Sequence, residues 1–298
     1  DEKKFSSVAK ASTVSAIICF LLFSFLNSQY VKTDIHSERN FYGILSVKEV
    51  TINNKKERRL IDGTTSHGTQ SLEPNEQHIP LSYYRANTGV ALALQSLSQN
   101  NVIHAGFIGL GAGTLAAYGK KGDRYRFYEL NPAVSAAANN YFSYLSDSKA
   151  KIESVLGDGR VSLSQETNSG IDHQFDILVI DAFSGDSIPQ HLLTTEALAL
   201  YWQQLKANGV LVIHISNSHL NLTPLMRGLA ERSDKHIRYF KTHAQKSTGH
   251  DTEWIWLTNN IKLLNSPITK AYESPWPVGS EEKVIWTDNY SNLLSVLK

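Results

Sequence analysis

The chain has 298 residues, of which 41% are hydrophobic, so it is long and apolar enough to form one large core or two smaller ones. Lysine and arginine number 29 against 28 for aspartate and glutamate, and without a basic surplus we expect no nucleic-acid partner. The single cysteine, Cys19, excludes an intrachain disulfide and a thiolate metal cluster.

The first predicted element is a membrane helix at residues 11–31. This segment has no charged residue, is bounded by Lys10 and Lys32, and has just the length needed to cross a bilayer. Its most apolar part, 14–26, is shorter, so a signal-peptide core or a buried helix remains an alternative. We assign 1–40 to this helix and a linker, and the sequence leaves open whether it was cut from a longer membrane protein.

Residues 41–80 are predicted to form a small antiparallel β-sheet. Runs of β-forming residues alternate there with turn-forming residues. The runs are "FYGILSV", "EVTI" and "RRLIDG", and the turns are "NNKK" and "DGTTSHG".

Residues 81–298 are predicted to form an α/β domain. After "GVALALQSLSQ", whose apolar spacing indicates a helix, strands and helices alternate from Val102 onward. This alternation predicts a mostly parallel sheet with helices on both faces. The predicted strands are "VIHAGFIGLG", "RYRFYEL", "KIESVLG", "FDILVID" and "VLVIHIS", and the helices between them include "AGTLAAYGKKG", "PAVSAAANNYFSYL" and "TTEALALYWQQLKANG". Two later runs, "HIRYFKT" and "EWIWLT", are expected to close the sheet.

Candidate ligand-binding residues lie where these strands end, because ligands of such folds bind outside the carboxyl ends of the strands. The first strand runs into "GLGAG", a glycine loop that lets backbone N–H groups approach a ligand. Glu129 ends the second strand, where an acid either accepts from ribose hydroxyls or is simply solvated. Asp158 ends the third, as an adenine acceptor or as a turn former between two glycines.

Asp181 is the strongest candidate for chemistry. The apolar run 177–180 predicts a buried strand, and a strand of this kind gains nothing from a carboxylate at its end. We therefore expect Asp181 to serve a ligand outside the sheet. His214 and His219 are five residues apart, but no acid or cysteine lies near them in sequence, so we expect no metal site.

These motifs in their order resemble the spermidine synthase family of polyamine aminopropyltransferases, relatives of the class I S-adenosylmethionine-dependent methyltransferases. The resemblance covers residues 41–298 and rests on "GLGAGTLAAYGKKGDRYRFYELNP", "LGDGR", "FDILVIDAFSGDSIPQHLLT" and "LKANGVLVIHIS". The chain is more similar still to the membrane-fused branch of that family, in "DGTTSHGTQ", "PLSYY", "DAFSGDSIPQHLLT" and "HISNSHLNL".

The resemblance implies a Rossmann-like, class I methyltransferase-type sheet. It also implies transfer of an aminopropyl group from decarboxylated S-adenosylmethionine, a co-substrate rather than a tightly bound cofactor, to a polyamine such as putrescine, with release of methylthioadenosine. Residues are implied for each part of the ligand: Gly109, Gly111 and Gly113 around the methionine-derived part, Glu129 at the ribose, Asp158 with Gly159 at the adenine, and Asp181 as the base that deprotonates the amine.

The amine site departs from the family pattern. Ser184 and Gly185 stand where the family has a second aspartate and a proline, and we expect Asp186 to substitute for that aspartate. Tyr83 and Tyr84 with Arg85 replace a Tyr-His-Glu segment. The predicted amine-binding residues are Gln70, Tyr83, Tyr84, Ser184 and Asp186, with Gln70 at a greater spacing than its family counterpart.

These departures keep other functions open. One alternative is methyl transfer or another reaction that consumes S-adenosylmethionine, and a second is a membrane-associated sensor that binds an adenosyl ligand without turnover. Because adenosyl sulfoniums and polyamines are held in the cytosol, we expect a membrane-anchored protein whose catalytic domain faces the cytoplasm. A homodimer is expected from the resemblance.

Overall fold

The computed structural model describes residues 2–31, 33–63, 65–99, 101–182, 189–244, 251–278 and 280–298, and within 2–31 the side chains of residues 10 and 12–26. The chain begins with helix α1 (Glu2–Val31), and the side chains at 12–26 are all exposed. Among the described residues, no helix combines the length and apolar character needed to cross a bilayer. A helix forms where the sequence predicts one, but the described residues do not support its assignment as a membrane span.

A small antiparallel sheet follows, as predicted, with its strands paired in chain order. Its strands are β1 (Asp34–Asn40), β2 (Gly43–Ile52), β3 (Lys55–Asp62) and β4 (Thr65–Ser71). The first strand begins at Asp34, within the segment predicted as a linker. Leu45, Val47 and Leu60 are almost fully buried and join this sheet to the core of the larger domain.

The larger sheet has seven strands among the described residues, in the order β10-β11-β9-β8-β5-β6-β7. Strands β5 to β9 are parallel to one another, whereas β11 pairs antiparallel with β9 and β10 pairs antiparallel with β11, which closes one edge as predicted. The strands are β5 (His104–Ile108), β6 (Arg124–Glu129), β7 (Lys151–Leu156), β8 (Phe175–Ile180), β9 (Leu205–His214), β10 (His236–Thr242) and β11 (Thr252–Thr258).

Helices cover both faces of this sheet. Because side chains alternate along a strand, Phe107 packs into the core on one face and Ile108 into the core on the other. The α-helices of the domain are α2 (Gly89–Leu97), α3 (Pro132–Tyr141), α4 (Tyr144–Asp147), α5 (Gly159–Asn168), α6 (Thr195–Gln204), α7 (Thr223–Arg232), α8 (Ile261–Leu264) and α9 (Pro267–Tyr272).

The helix predicted after the glycine loop is wrong in type and length, since only a short 3-10 helix, Thr114–Tyr118, forms there. It stops at Gly119, whose backbone is extended. A Cβ at this glycine would lie 2.6 Å from Cβ of Ala150. Gly119 is therefore packed directly against Ala150, where a larger residue would not fit.

The small sheet docks on the larger one through β4 and the glycine loop. The N–H of Ala112 donates to the carbonyl oxygen of His67 at 3.1 Å. A Cβ added at Gly68 would lie 2.4 Å from Cβ of Ala112, so the two backbones are in close contact. This contact places β4 over the carboxyl ends of the central strands and forms one wall of a cavity.

Candidate active site

A cavity of about 530 Å³ lies between the small sheet and the carboxyl ends of β5, β6, β8 and β9. Parallel strands end at the same edge, so residues that follow them in sequence meet there. Eight of the residues predicted from sequence line the cavity: Tyr83, Tyr84, Gly109, Gly111, Glu129, Asp158, Gly159 and Asp181.

The glycine loop passes close to neighbouring backbone at two positions. Gly109 has a φ of +104°, and a Cβ there would lie 2.3 Å from the carbonyl oxygen of Asp181. Gly111 has a φ of +53°, and its Cβ would lie 2.4 Å from the carbonyl oxygen of His67. Glycine is thus required at both positions by backbone conformation and by space. Gly113 lies beyond the cavity, beside Leu145.

Glu129 is held at the end of β6 by backbone donors. Its Oε2 accepts from the N–H of Leu110 at 3.1 Å, and its Oε1 accepts from the N–H of Asn131 at 2.8 Å. Burial raises the pKa of Glu129 above its usual range, although these backbone donors oppose the shift. The carboxylate is therefore fixed in one orientation beside the glycine loop.

Asp158 combines a structural and a cavity-lining role. Its Oδ1 accepts from the N–H of Val161 at 2.9 Å and caps helix α5, while its Oδ2 accepts from Nε2 of His191 at 2.8 Å. Burial acts to raise the pKa of Asp158, but the His191 and backbone donors leave it below its usual value. The adjoining Gly159 lies against Ile108, which its absent side chain permits.

Asp181 follows β8, and its N–H donates to the carbonyl oxygen of Ile108 at 2.8 Å. Its side chain is 9% exposed, and its Oδ1 lies 2.7 Å from Nδ1 of His214. The hydroxyl of Tyr84 also hydrogen-bonds to this carboxylate. Burial, with the nearby Asp181 charge, raises the pKa of Tyr84 well above its ordinary value, so Tyr84 is a neutral donor.

The two tyrosines come from a 3-10 helix, Ser82–Tyr84, that enters the cavity from the link between the sheets. The ring of Tyr83 lies 5.5 Å from the ring of His214. Arg85 is the arginine that stands where the resembled family has a glutamate, and it does not line the cavity. Its guanidinium donates to the carbonyl oxygens of Ser82 and His243. Its charge is therefore directed at backbone.

Three predicted amine-binding residues do not contribute to the described cavity wall. Gln70 is 3% exposed, and its amide bonds Ser143 and the carbonyl oxygen of Gln77. Ser184 and Asp186 lie in 183–188, outside the described residues.

The structure adds residues that sequence reasoning missed. His67 and Asp62 of the small sheet line the cavity, as do His191 and His214 of the larger domain. His67 Nε2 is buried without a hydrogen-bond partner among the described residues, and burial lowers the pKa of this imidazole. The position of His214 had a sequence signal, because it ends the strand that follows β8 in the alternating pattern. No group of three or more metal-ligating side chains occurs among the described residues.

No known family model matches the chain. A polyamine aminopropyltransferase of Vibrio vulnificus (strain CMCP6) is 28% identical over 207 residues, which cover 66% of this chain and 63% of that protein. A probable polyamine aminopropyl transferase of Bifidobacterium longum (strain NCC 2705) is 25% identical over 185 residues, which cover 59% of this chain and 36% of that protein. The chain thus spans less than two thirds of the length of either relative.

Solved structures share the fold. A probable spermidine synthase from Corynebacterium glutamicum superposes with a TM-score of 0.60 at 15% identity, over 79% of this chain and 84% of that structure. The spermidine synthase from Thermotoga maritima superposes with a TM-score of 0.54 at 16% identity, over 86% of this chain and 82% of that structure. The predicted Rossmann-like, methyltransferase-type α/β fold, with a small antiparallel sheet beside a larger mixed one, is confirmed.

The chain is thus similar in sequence to polyamine aminopropyltransferases and in fold to spermidine synthases.

Proposed function

We propose that this protein transfers an aminopropyl group from decarboxylated S-adenosylmethionine to a polyamine such as putrescine and releases methylthioadenosine. The observation that carries the proposal is the buried carboxylate of Asp181, which faces the same cavity as the glycine loop and Glu129. The proposed nucleotide wall and the proposed base thus line the same cavity. The names of the relatives support the same reaction.

The nucleotide is proposed to occupy the cavity in the orientation expected from sequence. Gly109 and Gly111 leave room for the methionine-derived part, and Glu129 accepts from the ribose hydroxyls. Asp158 and Gly159 lie at the adenine. Gly113 shapes the loop from outside the cavity.

The proposed chemistry begins with a protonated amine. An alkylamine has a pKa near about 10, so at neutral pH nearly all of it is an ammonium ion that cannot act as a nucleophile. Asp181 accepts one proton from this ammonium. The free amine then attacks the aminopropyl carbon next to the sulfonium sulfur; the new C–N bond forms as the C–S bond breaks, and its electron pair leaves with methylthioadenosine.

The amine site is proposed to lie between Asp181 and the two tyrosines. Tyr83 and Tyr84 line the cavity beside the base, and aromatic faces suit a cationic chain. Ser184 and Asp186 are retained as proposed contacts to the distal end of the amine. Gln70 is no longer proposed as a direct contact, because its amide is engaged by Ser143 and Gln77.

Titration calorimetry of the full chain tests this function. S-adenosylmethionine, its decarboxylated form and methylthioadenosine are titrated separately, and products formed with putrescine are then analysed. Preference for the decarboxylated ligand, with methylthioadenosine and spermidine as products, is expected. Tighter binding of the carboxylated form with no amine product would refute the proposal and favour methyl transfer, and binding without any product would favour a sensor.

Membrane attachment with the catalytic domain on the cytoplasmic face stays a prediction from the uncharged run at 11–31. Large apolar side chains are exposed on α1, such as Phe20 at 68% and Phe23 at 69%, and could contact lipid without spanning the bilayer. Digestion of right-side-out vesicles with trypsin would disprove the orientation if the domain were cleaved from outside.

The homodimer likewise stays a prediction, which sedimentation of the detergent-solubilised chain would test.

A further inference from the structure

Asp181 and His214 lie side by side at the ends of adjacent parallel strands. The pairing of β8 with β9 sets Ile180 beside Ile213, so the next residue on each strand reaches the same edge. The Nδ1 of His214 lies 2.7 Å from Oδ1 of Asp181. The two side chains are 6% and 9% exposed, so water competes little for this hydrogen bond.

The imidazole is held in place by its other contacts. It stacks on Trp254 with the ring centroids 4.3 Å apart and the planes at 10°. Its Nε2 lies 2.6 Å from Oγ of Ser216, while Thr252 Oγ1 is farther away at 3.3 Å. Rotation of the ring would break both the stacking and the two short hydrogen bonds.

The hydrogen-bond directions follow from which groups carry protons. The N–H of Glu253 donates to Ser216 Oγ at 2.7 Å, and the serine hydroxyl proton has two neighbouring acceptors, Nε2 of His214 at 2.6 Å and Oγ1 of Thr252 at 3.4 Å. The closest acceptor is Nε2 of His214. A neutral imidazole that accepts at Nε2 carries its proton on Nδ1, which then donates to Asp181.

We propose that His214, fixed by Ser216, is a positioning residue for the base Asp181. This proposal rests on the proposed function and extends it. His214 engages Oδ1 and the Tyr84 hydroxyl also donates to this carboxylate, and a remaining lone pair of the carboxylate accepts the proton of the substrate ammonium. A carboxylate held in one orientation meets the amine in the geometry that proton transfer needs, without first having to reorient.

Two variants of His214 separate the hydrogen bond from the packing. His214→Phe keeps an aromatic ring for Trp254 but removes the donor, and His214→Gln retains a side-chain N–H. We expect His214→Phe to lower kcat by about 10- to 100-fold with little change in the affinity for methylthioadenosine, and His214→Gln to restore most of the loss. Equal loss in both variants would show that the imidazole itself is needed, for example to carry the proton, and would overturn the positioning role.

His104→Phe provides the matched control. His104 is a partly buried histidine at the start of β5, the end of the sheet opposite the cavity, and its ring lies 4.6 Å from Phe175. Its replacement tests the effect of exchanging a packed histidine away from the site and should leave kcat unchanged. A kcat for His214→Phe equal to that of this control would also overturn the proposal.

Nitrogen-15 NMR of histidine-labelled protein tests the geometry independently of turnover. The signal of His214 is assigned by its absence in His214→Gln. We expect the wild-type imidazole to be in the Nδ1–H form. In Ser216→Ala we expect a larger fraction of the Nε2–H form, because the donor to Nε2 is removed. An Nε2–H form in the wild type would overturn the inference even if the protein is an aminopropyltransferase. The expected tautomer in a protein that makes no spermidine would instead place the failure in the proposed function.

Discussion

The carbonyl oxygen of Asp181 lies where a side chain at Gly109 would be, 2.3 Å from the position of its Cβ. The first turn of the glycine loop, where we propose that the nucleotide binds, and the backbone of the proposed base are therefore packed directly against each other. A change at the loop is transmitted to the base through backbone contact.

Gly109→Ala is expected to destabilise the protein and abolish methylthioadenosine binding, because the new methyl group would force the two backbones apart. Gly170→Ala is the control, since Gly170 also has a positive φ, +77°, but has nothing within 4 Å of its Cβ position. Strain alone should cost about 1–2 kcal/mol in the control. Urea unfolding and calorimetry provide the two measurements; equal effects of both variants would contradict the close contact.

Variants of Asp158 separate its helix cap from its proposed contact with the ligand. Asp158→Ala should lower the free energy of unfolding by about 1 kcal/mol, because it removes the cap of helix α5. Asp158→Ser retains a capping oxygen and should keep most of that stability. We expect both variants to bind methylthioadenosine less tightly, as judged by calorimetry. Normal binding by Asp158→Ser would mean that Asp158 is only the turn former that its sequence context also allowed.

His67 should make the stability of the protein depend on pH. Burial lowers the pKa of its imidazole below the ordinary 6.5, so the unfolded chain takes up a proton here more readily than the folded one. The free energy of unfolding should therefore fall as the pH decreases below about 6.5 and recover above it.

Urea unfolding of the wild type and of His67→Gln at pH 7.5 and 5.5 would detect this contribution. The variant should lose less stability on acidification than the wild type. Part of the dependence should remain, because burial also lowers the pKa of His104. An unchanged pH dependence in His67→Gln would show that this histidine is as easily protonated in the folded protein as in the unfolded one.

The sequence predicted the larger sheet and many of the residues that line the cavity, because both follow from local patterns. Alternating apolar runs and helices imply parallel strands, whose carboxyl ends meet at one edge. Residues placed at strand ends, such as Glu129 and Asp181, therefore line the cavity.

The residues from the small sheet were harder to predict, because they depend on how two sheets dock. Gln70 was expected at the amine site from its position after "DG". It lies three residues beyond His67 on β4, about 10 Å farther along an extended strand, and His67 lines the cavity instead. The pairing of β3 with β4 also shifts register between Leu60 and Ile61, so regular alternation does not predict which β4 side chains face the cavity.

His214 was missed for a different reason. Its pairing with Asp181 spans 33 positions of sequence and requires β8 and β9 to be neighbours in the correct register. A search for metal-ligand spacing within the local sequence could not detect such a contact. A comparison of the residues that end successive parallel strands would have detected it.

The central claim is that Asp181 deprotonates an amine in an aminopropyl transfer, and the most direct test compares wild type with Asp181→Asn. Both proteins are incubated with decarboxylated S-adenosylmethionine and putrescine, and spermidine and methylthioadenosine are quantified by chromatography. We predict equal amounts of the two products from the wild type. In Asp181→Asn we predict a rate about 100- to 10,000-fold lower, with methylthioadenosine still bound. Wild-type turnover in Asp181→Asn, or no spermidine from the wild type, would contradict the account.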